Sequence, residues 1–160
     1  MKKVIYLMMT GIAMFLYACD SPSNSPEVIN TKASLPSSFN FEQFGLKVIT
    51  SSINKKQGTM SILYGNKAGL NAVIAGAKEI TGAEILALVS WRQQEDLHWY
   101  GAMIPGDLLS VELIKADKNS SRMLFDYKRF DGKSLVLNID TSGQTKRVKF
   151  ILDQKPSVMP

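Results

Sequence analysis

The stretch Trp91-Arg92-Gln93-Gln94-Glu95-Asp96-Leu97-His98-Trp99-Tyr100 gathers both tryptophans, the single histidine and two acids of the chain into ten positions. Aromatic walls, a titratable imidazole and a carboxylate able to fix its tautomer would suit the lip of a ligand pocket built from Trp91, His98, Trp99 and Tyr100. The plainer alternative is a hairpin whose aromatic residues alternate between core and surface while His98 sits at the turn. One Cys and one His among 160 residues exclude an internal disulfide, a Cys-based zinc cluster, a His-rich metal site and two-thiol haem attachment. No nucleophile-elbow, P-loop, dinucleotide-binding or HExxH spacing occurs. Any Ser/His/Asp arrangement would need His98 as its base, which argues against a conventional hydrolase and leaves catalytic residues unassigned.

The single thiol, Cys19, has a different use. Lys2 and Lys3 precede an apolar run, Val4 to Tyr17, whose 14 residues fall short of the roughly 20 that a helix needs to cross a bilayer. That is the pattern of a signal peptide. Leu16-Tyr17-Ala18-Cys19 resembles the lipobox of bacterial lipoproteins, with a small residue ahead of a Cys that is lipidated and becomes the mature N-terminus. The expectation is a signal peptide over 1–18 and a multiply acylated Cys19, since a single chain anchors only reversibly. Asp20 after it resembles an inner-membrane retention signal, so the chain is expected on the inner membrane, facing the periplasm. Loss of Lys2 and Lys3 lowers the formal charge from +5 to +3. So modest a charge on a secreted domain makes nucleic acid a poor partner.

Residues 19–38, rich in Ser, Pro and Asn and free of aromatic side chains, read as a tether with little apolar surface to offset ordering. The domain is expected over 39–160, about 120 residues, enough for one core. Phe39, Phe41 and Phe44 suggest a short helical turn. Thr59 to Tyr64 alternate like a strand, and Asn66 can cap a helix over Lys67 to Gly76. Ala83 to Trp91, nearly continuous and apolar, is the best central strand. Strands over His98–Ile104, Leu108–Lys115, Arg122–Phe130 and Lys133–Ile139 would follow, with Pro105-Gly106-Asp107 as a turn. Short strands joined by tight turns imply an antiparallel meander, hence an α+β fold with one sheet of five or six strands and one or two helices.

Lys146-Arg147-Val148-Lys149, with Lys155 beyond, could meet anionic headgroups but reads better as the solvated side of a terminal strand or loop. Met60, Met103 and Met123 lie on strand patterns as core fillers.

The order of these segments resembles the cytochrome P-460 family. It is carried by Gly58-Thr59-Met60-Ser61-Ile62-Leu63-Tyr64-Gly65-Asn66 before an Ala-rich helix, then Thr81-Gly82-Ala83-Glu84-Ile85-Leu86-Ala87-Leu88-Val89-Ser90-Trp91. Ser110-Val111-Glu112-Leu113-Ile114 and Phe125-Asp126-Tyr127-Lys128-Arg129-Phe130-Asp131-Gly132-Lys133 follow. The resemblance spans roughly Phe39 to Lys133. It implies a periplasmic α+β domain, often dimeric, that in characterised relatives holds a covalent haem and acts on hydroxylamine or binds nitric oxide. Those relatives carry a C-terminal CxxCH, whereas the residues after Lys133 contain neither Cys nor His. Covalent c-type haem is therefore excluded. Two readings follow: a lipid-anchored binding or scaffold module with no cofactor, or a non-covalent haem protein using His98 for redox or gas-ligand chemistry.

Overall fold

The computed structural model describes residues 29–37, 39–119 and 122–157. The expected signal peptide, Cys19 and the tether as far as residue 28 lie outside the described residues. From Thr31 onward the chain forms one unit. A 3-10 turn, Glu42–Phe44, precedes strand β1 (Lys47–Asn54), β2 (Thr59–Gly65), helix α1 (Lys67–Ile74), β3 (Ile85–Glu95), β4 (Met103–Asn119), β5 (Arg122–Asp131), β6 (Val136–Asn138) and helix α2 (Gln144–Leu152). The six strands make one antiparallel sheet in the order β1-β2-β3-β4-β5-β6. The fold is thus α+β, a meander with two helices.

The apolar run at the start of β3 is buried because both faces of the sheet are covered. Successive side chains of a strand point to opposite faces. Leu86 and Leu88 meet Val73 of α1 and Val148, Ile151 and Leu152 of α2, together with Ile49, Leu63 and Ile114. Val89 and Trp91 point the other way, toward Leu108 and Val111 and a coat formed by the N-terminal segment, including Ala33, Leu35, Phe39 and Phe41. Phe41 stacks on Tyr64 at 4.2 Å between ring centroids, and Phe39 meets Phe41 edge-on at 5.0 Å. Each large side chain so buried contributes about 1.5–3 kcal/mol. Ala33 and Leu35, read from sequence as part of the tether, therefore belong to the packed layer.

Several expected elements shift. His98–Ile104 is not a strand: residues 96–102 form the loop between β3 and β4. Pro105-Gly106 is not a turn but lies inside β4, where the β3–β4 register slips on either side of Trp91. A proline is tolerated at such an irregular pairing, and the strands approach closely at Gly106, where a Cβ would crowd the Gln94 amide oxygen at 3.0 Å and the Arg92 carbonyl at 3.1 Å. The last strand shrinks to Val136–Asn138. Lys146 to Lys149 lie in helix α2, whose Val148, Ile151 and Leu152 fall on one buried side at i, i+3, i+4 spacing. Beyond α2 the chain returns to the outer edge of β1, where Ser157 N donates to Ile49 O at 3.0 Å and the Ser157 and Thr50 hydroxyls bond at 2.9 Å.

Asn66 joins α1 to β3. Its Oδ1 accepts from Gly69 N at 2.8 Å as the helix cap and from Ile85 N at 3.2 Å, while Nδ2 donates to Ala83 O at 2.7 Å. Asn66→Ala is expected to cost about 2 kcal/mol, a cap plus an orphaned strand amide. Asn66→Asp, which keeps the acceptor alone, should cost less. The urea midpoints of the two variants check this.

Candidate functional site

The four residues expected to form a pocket are separated by the fold. Trp91 is buried in the sheet face covered by the N-terminal segment, with its indole Nε1 donating to Ala33 O at 2.8 Å. His98, Trp99 and Tyr100 stand exposed on the β3–β4 loop. Trp91 and Trp99 therefore do not face each other across a cleft. Asp96 Oδ1 accepts from the His98 backbone N at 2.8 Å and shapes the turn.

A denser polar cluster lies on the helix-bearing face of the sheet. Register places Ser52, Ser61, Ser90, Ser110 and Asp131 opposite one another in a row across β1 to β5. The Ser61 and Ser90 hydroxyls bond at 2.8 Å. The neighbouring row brings Glu112 opposite Arg129 and Arg129 opposite Asn138. Glu112 is 1% exposed. Arg147 of α2 forks onto it, Nε to Oε2 at 2.9 Å and Nη2 to Oε1 at 2.6 Å, and the Tyr127 hydroxyl donates to Oε2 at 2.6 Å. Beside this, Arg129 Nε donates to Asp131 Oδ1 at 2.7 Å, and Asn138 Nδ2 donates to Oδ2 at 2.7 Å.

The electrostatics follow the bonding. Burial first, then the bond to Glu112, push the Tyr127 phenol well above its ordinary range. The bond to Glu112 raises Arg147 and the bond to Asp131 raises Arg129, each against burial. Burial favours the neutral form of Asp131, but the bonds from Arg129 and Asn138 outweigh it and hold the carboxyl below its ordinary value. The shifts of Tyr127, Arg129, Asp131 and Arg147 all run away from neutrality. On the opposite side of the sheet, an open groove of about 560 Å³ is lined by Thr31, Lys32, Asp107, Leu108 and Lys133. The Lys133 ammonium is already engaged by the Thr31 carbonyl at 2.6 Å and by the Ser34 carbonyl.

No family model matches the chain, and none of the curated proteins compared with it is similar to it. Sequence reading missed the cluster because its members come from all six strands and α2, and no local spacing joins them. The one available clue was Glu112, an acid inside the strand pattern Val111 to Ile114.

A second buried acid, Glu84, serves the entry to β3. Its Oε1 accepts from Thr81 N at 2.6 Å and Thr81 Oγ1 at 2.7 Å, and its Oε2 from Gly82 N at 2.8 Å. Burial opposes ionisation, yet these bonds together lower its pKa. With folded pKa values of Glu84 and Asp131 below the unfolded ones, their stabilisation is full above about pH 4–5 and is lost as pH falls through the folded values. Glu84→Gln should be less stable than the parent at pH 7 and lose less between pH 5 and pH 2, as denaturation midpoints against pH would show. Arg147→Ala, which leaves Glu112 buried without its counter-charge, should cost about 2–4 kcal/mol, trimmed from the fully buried case because Arg147 is partly solvated. Pairing it with Glu112→Leu should recover part of that loss in a double-mutant cycle.

Proposed function

We propose that the chain is a lipoprotein of the bacterial cell envelope, anchored through acylated Cys19 and facing the periplasm, whose cytochrome P-460-like domain lacks covalent haem and serves as a binding or scaffold module. The observation that carries the binding reading is the occupancy of the polar cluster. Both oxygens of Glu112 and both of Asp131 already accept hydrogen bonds, and the Ser61 hydroxyl bonds another serine. No base is left beside a nucleophile there. What the cluster offers outward is hydroxyls and the remaining guanidinium N–H groups of Arg129, which suit recognition of a ligand by hydrogen bonding. The sheet order and the capped helix between β2 and β3 are in keeping with the segment order on which the family resemblance rests.

The haem alternative rests on His98, whose imidazole lies on an exposed loop away from buried Trp91. An absorption spectrum of the purified protein with added haemin tests the choice. A spectrum without a His98-dependent Soret band is expected, and a band abolished by His98→Ala would overturn the module reading. For the anchor, cells fed an alkyne fatty acid should label the parent but not Cys19→Ser, and the label should follow the membrane fraction. An unlabelled parent would overturn the lipoprotein reading.

A further inference from the structure

The β3–β4 loop presents a compact set of apolar side chains to water. Leu97 is 95% exposed, Trp99 is 71% exposed, and Tyr100 is fully open. The turn that carries them is well bonded: Asp96 N donates to Ala102 O and Ala102 N to Trp99 O, each at 3.0 Å, and Gly101 takes the left-handed conformation at φ 76°. The supporting ribbon is tied to the sheet by Gln93 N, which donates to Gly58 O at 2.8 Å. Beyond the last β2 partner, Arg92, the end of β3 pairs only with β4. The fold thus holds a leucine, a tryptophan and a tyrosine away from the core on a braced two-stranded extension.

We propose that this tip, Leu97 to Tyr100, is a second membrane contact that inserts into the headgroup region of a zwitterionic bilayer. Tryptophan and tyrosine combine an apolar body with a polar edge and favour the water–hydrocarbon interface. Glu95 and Asp96 at the base of the tip outnumber the one exposed cation of that ribbon, Arg92, and the residual negative charge disfavours anionic headgroups. Proximity rests on the Cys19 anchor proposed above. The 12 residues from Cys19 to Thr31 span at most about 40 Å whatever their conformation. Thr31 lies beside Asp107 and Leu108, and Leu108 pairs with Trp91, six residues or about 20 Å of extended chain from Leu97, so the tip lies within the reach of such a tether.

The test uses the full chain on vesicles of phosphatidylcholine and phosphatidylethanolamine, with bromine atoms on the acyl chains as a short-range quencher of tryptophan. Trp91 is buried and serves as the internal reference. Bromine-dependent loss of about half the tryptophan emission, abolished by Trp99→Ser while the blue-shifted Trp91 emission persists, is the expected result. Replacing a third of the lipid with phosphatidylglycerol should weaken the quenching at least twofold. Emission indifferent to bromine in a vesicle-bound chain, as would follow if the tip docks into a protein pocket, would overturn the proposal. Quenching that survives Trp99→Ser would do so as well. The same measurement on Cys19→Ser, held to the vesicle by the apolar run Val4 to Tyr17, keeps the two readings apart. Tip quenching there supports the tip even if fatty-acid labelling fails, and its absence on an acylated chain removes the tip while leaving the anchor.

Discussion

The fold depends on one buried carboxylate. Glu112 sits in the middle of β4, on the sheet face that also carries the aliphatic core, where an unpaired charge would cost several kcal/mol. It is tolerated because α2 delivers Arg147 as a two-pronged partner and β5 delivers the Tyr127 hydroxyl. The dependence is mutual. Val148, Ile151 and Leu152 give α2 a greasy side, but apolar contact alone is indifferent to small rotations and slides of a nine-residue helix. The bidentate geometry of Arg147 is not, so the ion pair fixes where the helix lies while the aliphatic contacts supply the adhesion. Arg147 also lies over the Phe150 ring at 4.8 Å, which restrains the guanidinium from its outer side.

The same sheet face is divided into an apolar part and a polar one. In the row of Leu63 and Leu88 the pattern still demands burial; one row on, Ser61, Ser90, Ser110 and Asp131 replace aliphatic residues. Serine can sit in the middle of a sheet only if its hydroxyl finds a partner or keeps contact with water. Ser61 and Ser90 satisfy each other, and both remain partly open. The opposite face, which too turns polar toward one end where Lys115 pairs with Asp126 and Asp126 meets Lys128, is covered differently. There the N-terminal segment supplies Phe39, Phe41 and Phe44, and the sheet is closed by side chains from a stretch with almost no regular structure of its own. On the helix-bearing side the polar part is a hydroxyl row lying directly on the strands.

Much of this architecture is legible in the sequence, and the exceptions have physical reasons. The run Ala83 to Trp91 reads as a central strand because only a strand buried on both faces tolerates so many consecutive apolar residues, and the strand observed begins two residues later, at Ile85. Asn66 reads as a helix cap and is one. Helix α2 is missed because four of the six residues from Lys146 to Ile151 are basic or aromatic, and the i, i+3, i+4 pattern of Val148, Ile151 and Leu152 is short enough to pass for a strand end. Pro105-Gly106 reads as a turn because local chemistry favours one; tertiary pairing overrides it, with the register slips around Trp91 absorbing the misfit. The aromatic and acidic stretch is recognised as unusual, but sequence cannot say that Trp91 faces the core while Trp99, eight residues on and past a loop, faces water. The polar cluster is beyond reach for a different reason. A pairing such as Glu112 with Arg147, 35 residues apart, exists only once the meander and α2 have formed.

Strand β3 links the two surface features through a change in its surroundings along its length. From Leu86 to Val89 it is buried on both faces, at Trp91 it is buried by the N-terminal segment alone, and from Arg92 it emerges toward solvent. The Trp91 indole bond to Ala33 O marks the boundary, anchoring the point where the ribbon leaves the core to the segment nearest the expected lipid attachment. Ser90, one residue earlier, belongs to the hydroxyl row on the other face. Loosening the N-terminal segment would therefore uncover Trp91 first and disturb both the brace of the aromatic tip and the floor beneath the polar cluster. The tip and the cluster thus share one strand, without needing any direct contact with each other.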